Sequence, residues 1–136
     1  MERVDVVEVD QPIVVQFVNR ILADAVQRGA TAIRFRVSRE PLPDEDPAQV
    51  PAPPARVDVH YFVESEYVPV DSIRIQFYSQ IANRIRIMAS LDYWKMQKRQ
   101  TGQIDVTIDG IPLMMSVSIG KVDKDEEIVI GIARES

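Results

Sequence analysis

The spacing of apolar residues switches once, at Gly29, and few folds accommodate what lies on either side of that switch. Before the glycine, Val14, Phe17, Val18, Ile21, Leu22, Ala25 and Val26 recur at helical intervals and form one stripe. Asp10 can accept hydrogen bonds from the free N–H groups of a first turn, and Pro12 suits that turn because no intrahelical donor is needed there. Gly29 fits the left-handed position that ends many helices. Beyond it the period falls to two. Ile33, Phe35 and Val37 point one way, Arg34, Arg36 and Ser38 the other. The spacing predicts a helix folded back onto a half-buried strand.

The rest of the chain supplies more strands and one more helix. Arg3 to Val9 alternates loosely, as an edge strand or an arm would. Arg39 to Ala55 holds Pro41, Pro43, Pro47, Pro51, Pro53 and Pro54 around the acidic knot Asp44-Glu45-Asp46. Proline removes donors and bars helical geometry before it, so this stretch reads as a Pro-rich insertion within a single domain spanning residues 1–136. Arg56 to Val63 alternates, with Val57, Val59, Tyr61 and Val63 on one face and Asp58, His60 and Phe62 on the other. Glu64-Ser65-Glu66 would turn into a returning strand over Tyr67 to Val70. Asp71 or Ser72 can cap a second helix carrying Ile73, Phe77, Ile81, Ile85 and Ala89. Ile73 to Phe77 also alternates, which leaves the start of that helix open. Ile104, Val106 and Ile108 then share a face, and Asp109-Gly110 is a strong hairpin turn. Ile111 to Ile119 alternates, Gly120 to Glu127 reads as a polar turn region, and Ile128 to Ala133 as an inner strand.

Net charge is -5, which argues against a general nucleic-acid binder. With no cysteine, disulfides and thiol chemistry are excluded. No apolar run is long enough for a membrane span. Catalytic constellations are missing too. The only Gly-Lys, Gly120-Lys121, has no upstream glycine and no following Ser or Thr, so there is no phosphate-binding P-loop. His60 is the sole histidine and has no evident partners for a metal site or triad. The acids at Asp44 to Asp46 and Asp123 to Glu127 read as solvated surface. No catalytic, cofactor-binding or metal residue is assigned, and no cofactor is expected. The basic residues are a different matter. Arg34 and Arg36 share a strand face, Arg84 and Arg86 lie close on the second helix, and Lys95, Lys98 and Arg99 follow Trp94. Solvated ion pairs would account for them; so would a docking surface for an acidic partner or a neighbouring subunit, with Trp94 as its anchor.

Two stretches carry a family resemblance. PIVVQFVNRILADAVQRGATAIRFRV resembles the opening of the domain that precedes the motor in the ATPases of type II secretion and type IV pilus assembly. QIANRIRIMASLDYWKMQKRQTGQIDVTIDG resembles a later segment of that domain, with Arg84, Ile85, Arg86, Ile87, Met88, Ala89, Leu91, Asp92, Gln100, Gly102 and Ile104 in register. SVSIGKVDKDEEIVIGIARES is similar to the segment leading into the motor. The resemblance implies an α+β fold, a PAS-like and mainly antiparallel sheet with two principal helices packed on it. It also implies membership in a machine that moves pilin-like subunits. Where the family lends arginines to bound nucleotide, this chain has Gln97, Gln103 and Ser116, and its Thr31-Ala32-Ile33-Arg34 replaces a Ser-Asp-Ile-His ending. An amide or hydroxyl cannot neutralise phosphate charge as a guanidinium does.

The expectation is therefore a non-enzymatic protein-interaction domain of a type II secretion or type IV pilus system, lacking the Walker motor that a longer parent would carry. Its partners would be the assembly ATPase, a membrane-platform protein or a second copy of itself, in the cytoplasm or held at the inner membrane through those partners. Arg34, Arg36, Arg84, Arg86, Trp94, Lys98 and Arg99 are the candidate interaction surface. The alternative is a PAS-like sensor of a small molecule or nucleotide, with a pocket beside Phe35, Tyr61 and Tyr78.

Overall fold

The computed structural model of the protein describes residues 4–5, 13–38, 55–91, 99–122 and 125–133. Helix α1 (Ile13–Gln27) buries Val18, Ile21, Leu22 and Ala25, the middle of the expected stripe. Its end is closed by two hydrogen bonds: the Gly29 N–H donates to Val26 O at 3.2 Å and the Ala30 N–H to Ala25 O at 2.9 Å. Gly29 sits at φ 78°, a conformation that only glycine adopts without cost. The expected caps Asp10 and Pro12 lie outside the described residues.

The chain then enters one sheet. Strands β2 (Ala32–Ser38), β3 (Arg56–Val63), β4 (Glu66–Arg74), β5 (Gln100–Ile108), β6 (Ile111–Val122) and β7 (Asp125–Ala133) pair antiparallel. A short β1 (Val4–Asp5) runs parallel to β5, and the order across the sheet is β1-β5-β6-β7-β2-β3-β4. The strands flanking the Pro-rich segment, β2 and β3, pair directly from Ala32–Phe62 to Ser38–Arg56. Helix α2 (Tyr78–Met88) joins α1 on one face of the sheet. The alternation of each strand sends Ile33, Phe35, Val57, Val59, Tyr61, Ile104, Met115, Val117, Ile128 and Ile130 into the single core beneath the helices. The protein is thus an α+β fold with two helices packed on a mainly antiparallel sheet.

Two elements differ from the sequence reading. The second helix does not begin at Asp71 or Ser72. Instead β4 continues to Arg74, a 3-10 turn spans Ile75–Phe77, and α2 starts at Tyr78. Cross-strand pairing decides this: Ile73 lies opposite Val57, so the alternation at Ile73 outweighs the helical spacing. The stretch Gly120 to Glu127 is mostly strand, because Val122 pairs with Asp125 and leaves a two-residue link. Gly102 lies inside β5. A Cβ there would come within 3.1 Å of Leu91 Cδ2 and 3.3 Å of Ala89 O, so glycine lets the end of α2 close on the strand.

Candidate functional site: the uncovered sheet face

Strand alternation that buries one set of side chains displays the other. The register arranges the displayed set in rows across β6, β7, β2, β3 and β4. One row reads Gly120, Glu127, Arg36, Asp58, Ser72; the next Ser118, Val129, Arg34, His60, Pro69; the third Ser116, Gly131, Ala32, Phe62, Tyr67. Thr101 and Gln103 of β5 extend the last two rows.

Arg34 is held flat in this surface. Its guanidinium carbon lies 4.0 Å from the centroid of the Tyr67 ring, a cation–π contact. Tyr67 is itself met edge-on by Phe62 at 5.0 Å and by His60 at 6.4 Å. Arg34 Nε and His60 Nδ1 are both shielded from solvent without a hydrogen-bond partner among the described residues. Burial keeps the His60 pKa below its usual 6.5; Arg34 and Arg36 push the same way, and only Asp58 opposes them. Across the sheet Arg99 donates from Nη1 to Ser118 Oγ at 2.7 Å. Gly120 makes room for it, since a Cβ there would fall 2.8 Å from Arg99 Cζ.

Arg84 and Arg86 belong to the opposite, helix-covered layer. Arg84 is partly exposed, with a shielded Nε that has no partner among the described residues. Arg86 is placed differently from the surface expected of it. Only 3% exposed, it donates to Glu126 Oε1 at 2.9 Å and to Gln100 Oε1 at 3.1 Å. Tyr78 donates to the same Glu126 oxygen at 3.3 Å, and burial with that carboxylate raises its pKa. These four side chains clamp α2 to β5 and β7. Glu126 accordingly is not the solvated turn acid that its acidic neighbours imply. Trp94 and Lys98 lie outside the described residues, as do Lys95 and Gln97. Arg34, Arg36 and Arg99 therefore share one face, and Arg84 and Arg86 do not join them.

Sequence reasoning placed Phe62 beside His60 but had no signal for Tyr67, whose place opposite Phe62 is set by the two-residue turn at Glu64-Ser65. Nor did it foresee the Glu126 clamp, which depends on register. Gln103 and Ser116 stand opposite each other on the uncovered face, and Gln103 Nε2 donates to Asp105 Oδ1 at 3.3 Å. Phe35 and Tyr61 are closed in the core. Tyr61 Oη donates to Asp24 Oδ2 at 2.9 Å and to Ile21 O at 3.2 Å, fixing α1 to β3. A separate apolar groove of about 160 Å³ lies between the start of α1 and the 3-10 turn, lined by Ile13, Val14, Phe17, Ile73, Phe77 and Ile81. Among the described residues no group of acids and histidine could hold a metal ion, and no helix is long and apolar enough to cross a membrane. No protein-family model matches the chain, and no curated protein is found similar to it.

Proposed function

We propose that this chain is a non-catalytic interaction domain, related to the domain that precedes the motor in type II secretion and type IV pilus ATPases. The observation that carries the reading is the uncovered sheet face. One side of the sheet is sealed by α1 and α2, while the other presents Arg34, Arg36 and Arg99 with no second layer among the described residues. The resembling stretch from Arg84 to Ile104 supports it too: its apolar members Ile85, Met88 and Ala89 are buried, and Leu91 packs near Gly102. Gln103 and Ser116, standing where the family has arginines, bring no positive charge to a phosphate. The domain would work in the cytoplasm or at the inner membrane, bound to an assembly ATPase, a platform protein or another copy of itself.

The test is biolayer interferometry with the immobilised chain against a motor domain, a platform-protein cytoplasmic domain and the chain itself. Saturable binding to one of them is expected, with no ATP turnover by the chain alone. Failure to bind any of the three, or hydrolysis by the chain alone, overturns the reading. The groove lined by Phe17, Phe77 and Ile81 favours a second reading, a sensor of a small apolar molecule. Saturable thermal stabilisation by a metabolite library member, lost on Phe77→Asp, would favour it.

A further inference from the structure

Among the described residues β4 is the outermost strand on one side of the sheet, and its nine residues pair with β3 alone. An edge of that length offers backbone N–H and C=O groups to any extended chain. The side chains beside it add to the attraction. Val68, Val70 and Ile73 are only partly buried against the core, and Phe77 follows Ile73 along the apolar groove. A strand added at β4 would lengthen the sheet and cover these residues at once.

The register decides which backbone groups of β4 face outwards. Glu64 and Ser65, both at positive φ, make a two-residue turn between Val63 and Glu66. That turn makes Val63–Glu66 and Tyr61–Val68 the hydrogen-bonded pairs. Phe62–Tyr67 and His60–Pro69 are the intervening pairs, whose β4 members turn their backbone groups away from β3. Pro69 has no N–H to offer there. A bulge follows, since pairing passes from His60–Pro69 to Val59–Asp71 and leaves Val70 without a residue opposite. Beyond the bulge the Ser72 N–H donates to Asp71 Oδ1 at 2.8 Å. The other oxygen, Asp71 Oδ2, lies 3.7 Å from Arg20 Nη2 on α1. The carboxylate is thus held between the helix and the strand it caps. Two donors that a neighbouring strand would need are lost, one deleted and one occupied, on either side of a bulge.

We infer that the β4 edge is closed to strand addition: Pro69 and the Asp71–Ser72 contact keep an extended segment of a partner, or the same edge of a second copy, from joining the sheet. Contact with a partner at this edge is then made by side chains alone. The inference goes beyond the interaction-domain reading and stands or falls apart from it.

The experiment is an NMR titration of the whole isotope-labelled chain with a short synthetic peptide of alternating Thr and Val, carrying a Lys at each end. Wild type is compared with Pro69→Val and Asp71→Ala together. The wild type should show no shifts on β4 at millimolar peptide. The double variant restores an N–H at position 69 and releases the Ser72 N–H. It should bind saturably and shift the amides of Tyr67, Val68 and Ser72. Asp71→Asn in place of Asp71→Ala keeps an acceptor for Ser72 and should bind roughly fivefold more weakly, the worth of one hydrogen bond. Circular dichroism checks that the variants are folded, and the two single variants carry the test if the pair does not fold. Self-association of the double variant, with the Tyr67 and Ser72 amides newly protected from hydrogen exchange, would support the inference equally, a second copy taking the peptide's place. Saturable shifts on β4 of the wild type would overturn it. So would a folded double variant that neither binds nor associates, or an Asp71→Asn version that binds as well as its Ala counterpart. A motor or platform protein that joined β4 as a strand, protecting the wild-type Tyr67 and Ser72 amides, would overturn the inference and leave the interaction reading standing.

Discussion

Ser90 and Ser65 stand where a glycine would be easier. Ser90 caps α2 with the same bonding that Gly29 gives α1: its N–H donates to Ile87 O at 3.2 Å and the Leu91 N–H to Arg86 O at 2.8 Å, with φ at 56°. Ser65 follows Glu64 at the β3–β4 turn, at φ 72° and 51° respectively. A side chain in this left-handed region costs about 1 kcal/mol. Ser90→Gly should therefore raise the urea midpoint by the equivalent of about 0.5–1 kcal/mol, part of the gain being offset by glycine's greater freedom when unfolded. An unchanged or lower midpoint would show that Ser90 holds the turn in another way. His60 makes a second residue-scale claim. Its folded pKa lies below the unfolded value, so the unfolded chain binds the extra proton first. The stability linked to this group is complete above the unfolded pKa, near 6.5, and is lost as the pH falls from there through the folded value. Urea unfolding of wild type and His60→Gln across that window should show the dependence shrinking in the variant.

At the scale of elements, α2 is the part most dependent on specific contacts. A buried clamp and one close approach hold it to the sheet. Arg86→Met leaves the Glu126 carboxylate facing a buried site without its cation, and should cost about 3 kcal/mol. Adding Glu126→Leu should recover much of that loss, because removing both charges removes the desolvation cost. A purely additive double-variant cycle would show that the two groups do not act together. Gly102→Val tests the close approach. Its side chain meets Ala89 O and Leu91, so α2 must shift, at about 1–3 kcal/mol. Destabilisation read from the urea midpoint checks it. Periodicity made α1, β2, β3 and the Asp109-Gly110 hairpin legible in the sequence, since each has one buried face and a clean stop, while the apolar run from Ile128 to Ala133 marked only the later part of β7. The start of α2 was not legible, because Ile73 to Phe77 satisfies both periods and only pairing with β3 chooses between them. The site was legible in part: Arg34 and Arg36 share a face by alternation alone, but the arrival of Arg99 on that face depends on the pairing of β5 with β6.

At the scale of the whole molecule, one layer of helices on a sheet of seven strands leaves, among the described residues, a face to be filled or used. Among the described residues that face carries arginines, the carboxylates of Asp58, Asp105 and Glu127, the rings of Phe62 and Tyr67, several small residues and one shielded imidazole. The most direct measurement is the binding of the intact chain to the motor domain, the platform-protein cytoplasmic domain and itself, repeated with Arg36→Glu and Arg99→Glu together. The account predicts saturable binding to at least one of them, weakened about tenfold by the double reversal and weakened further as salt rises. Absence of binding to all three, or binding that neither the reversal nor salt alters, would contradict it.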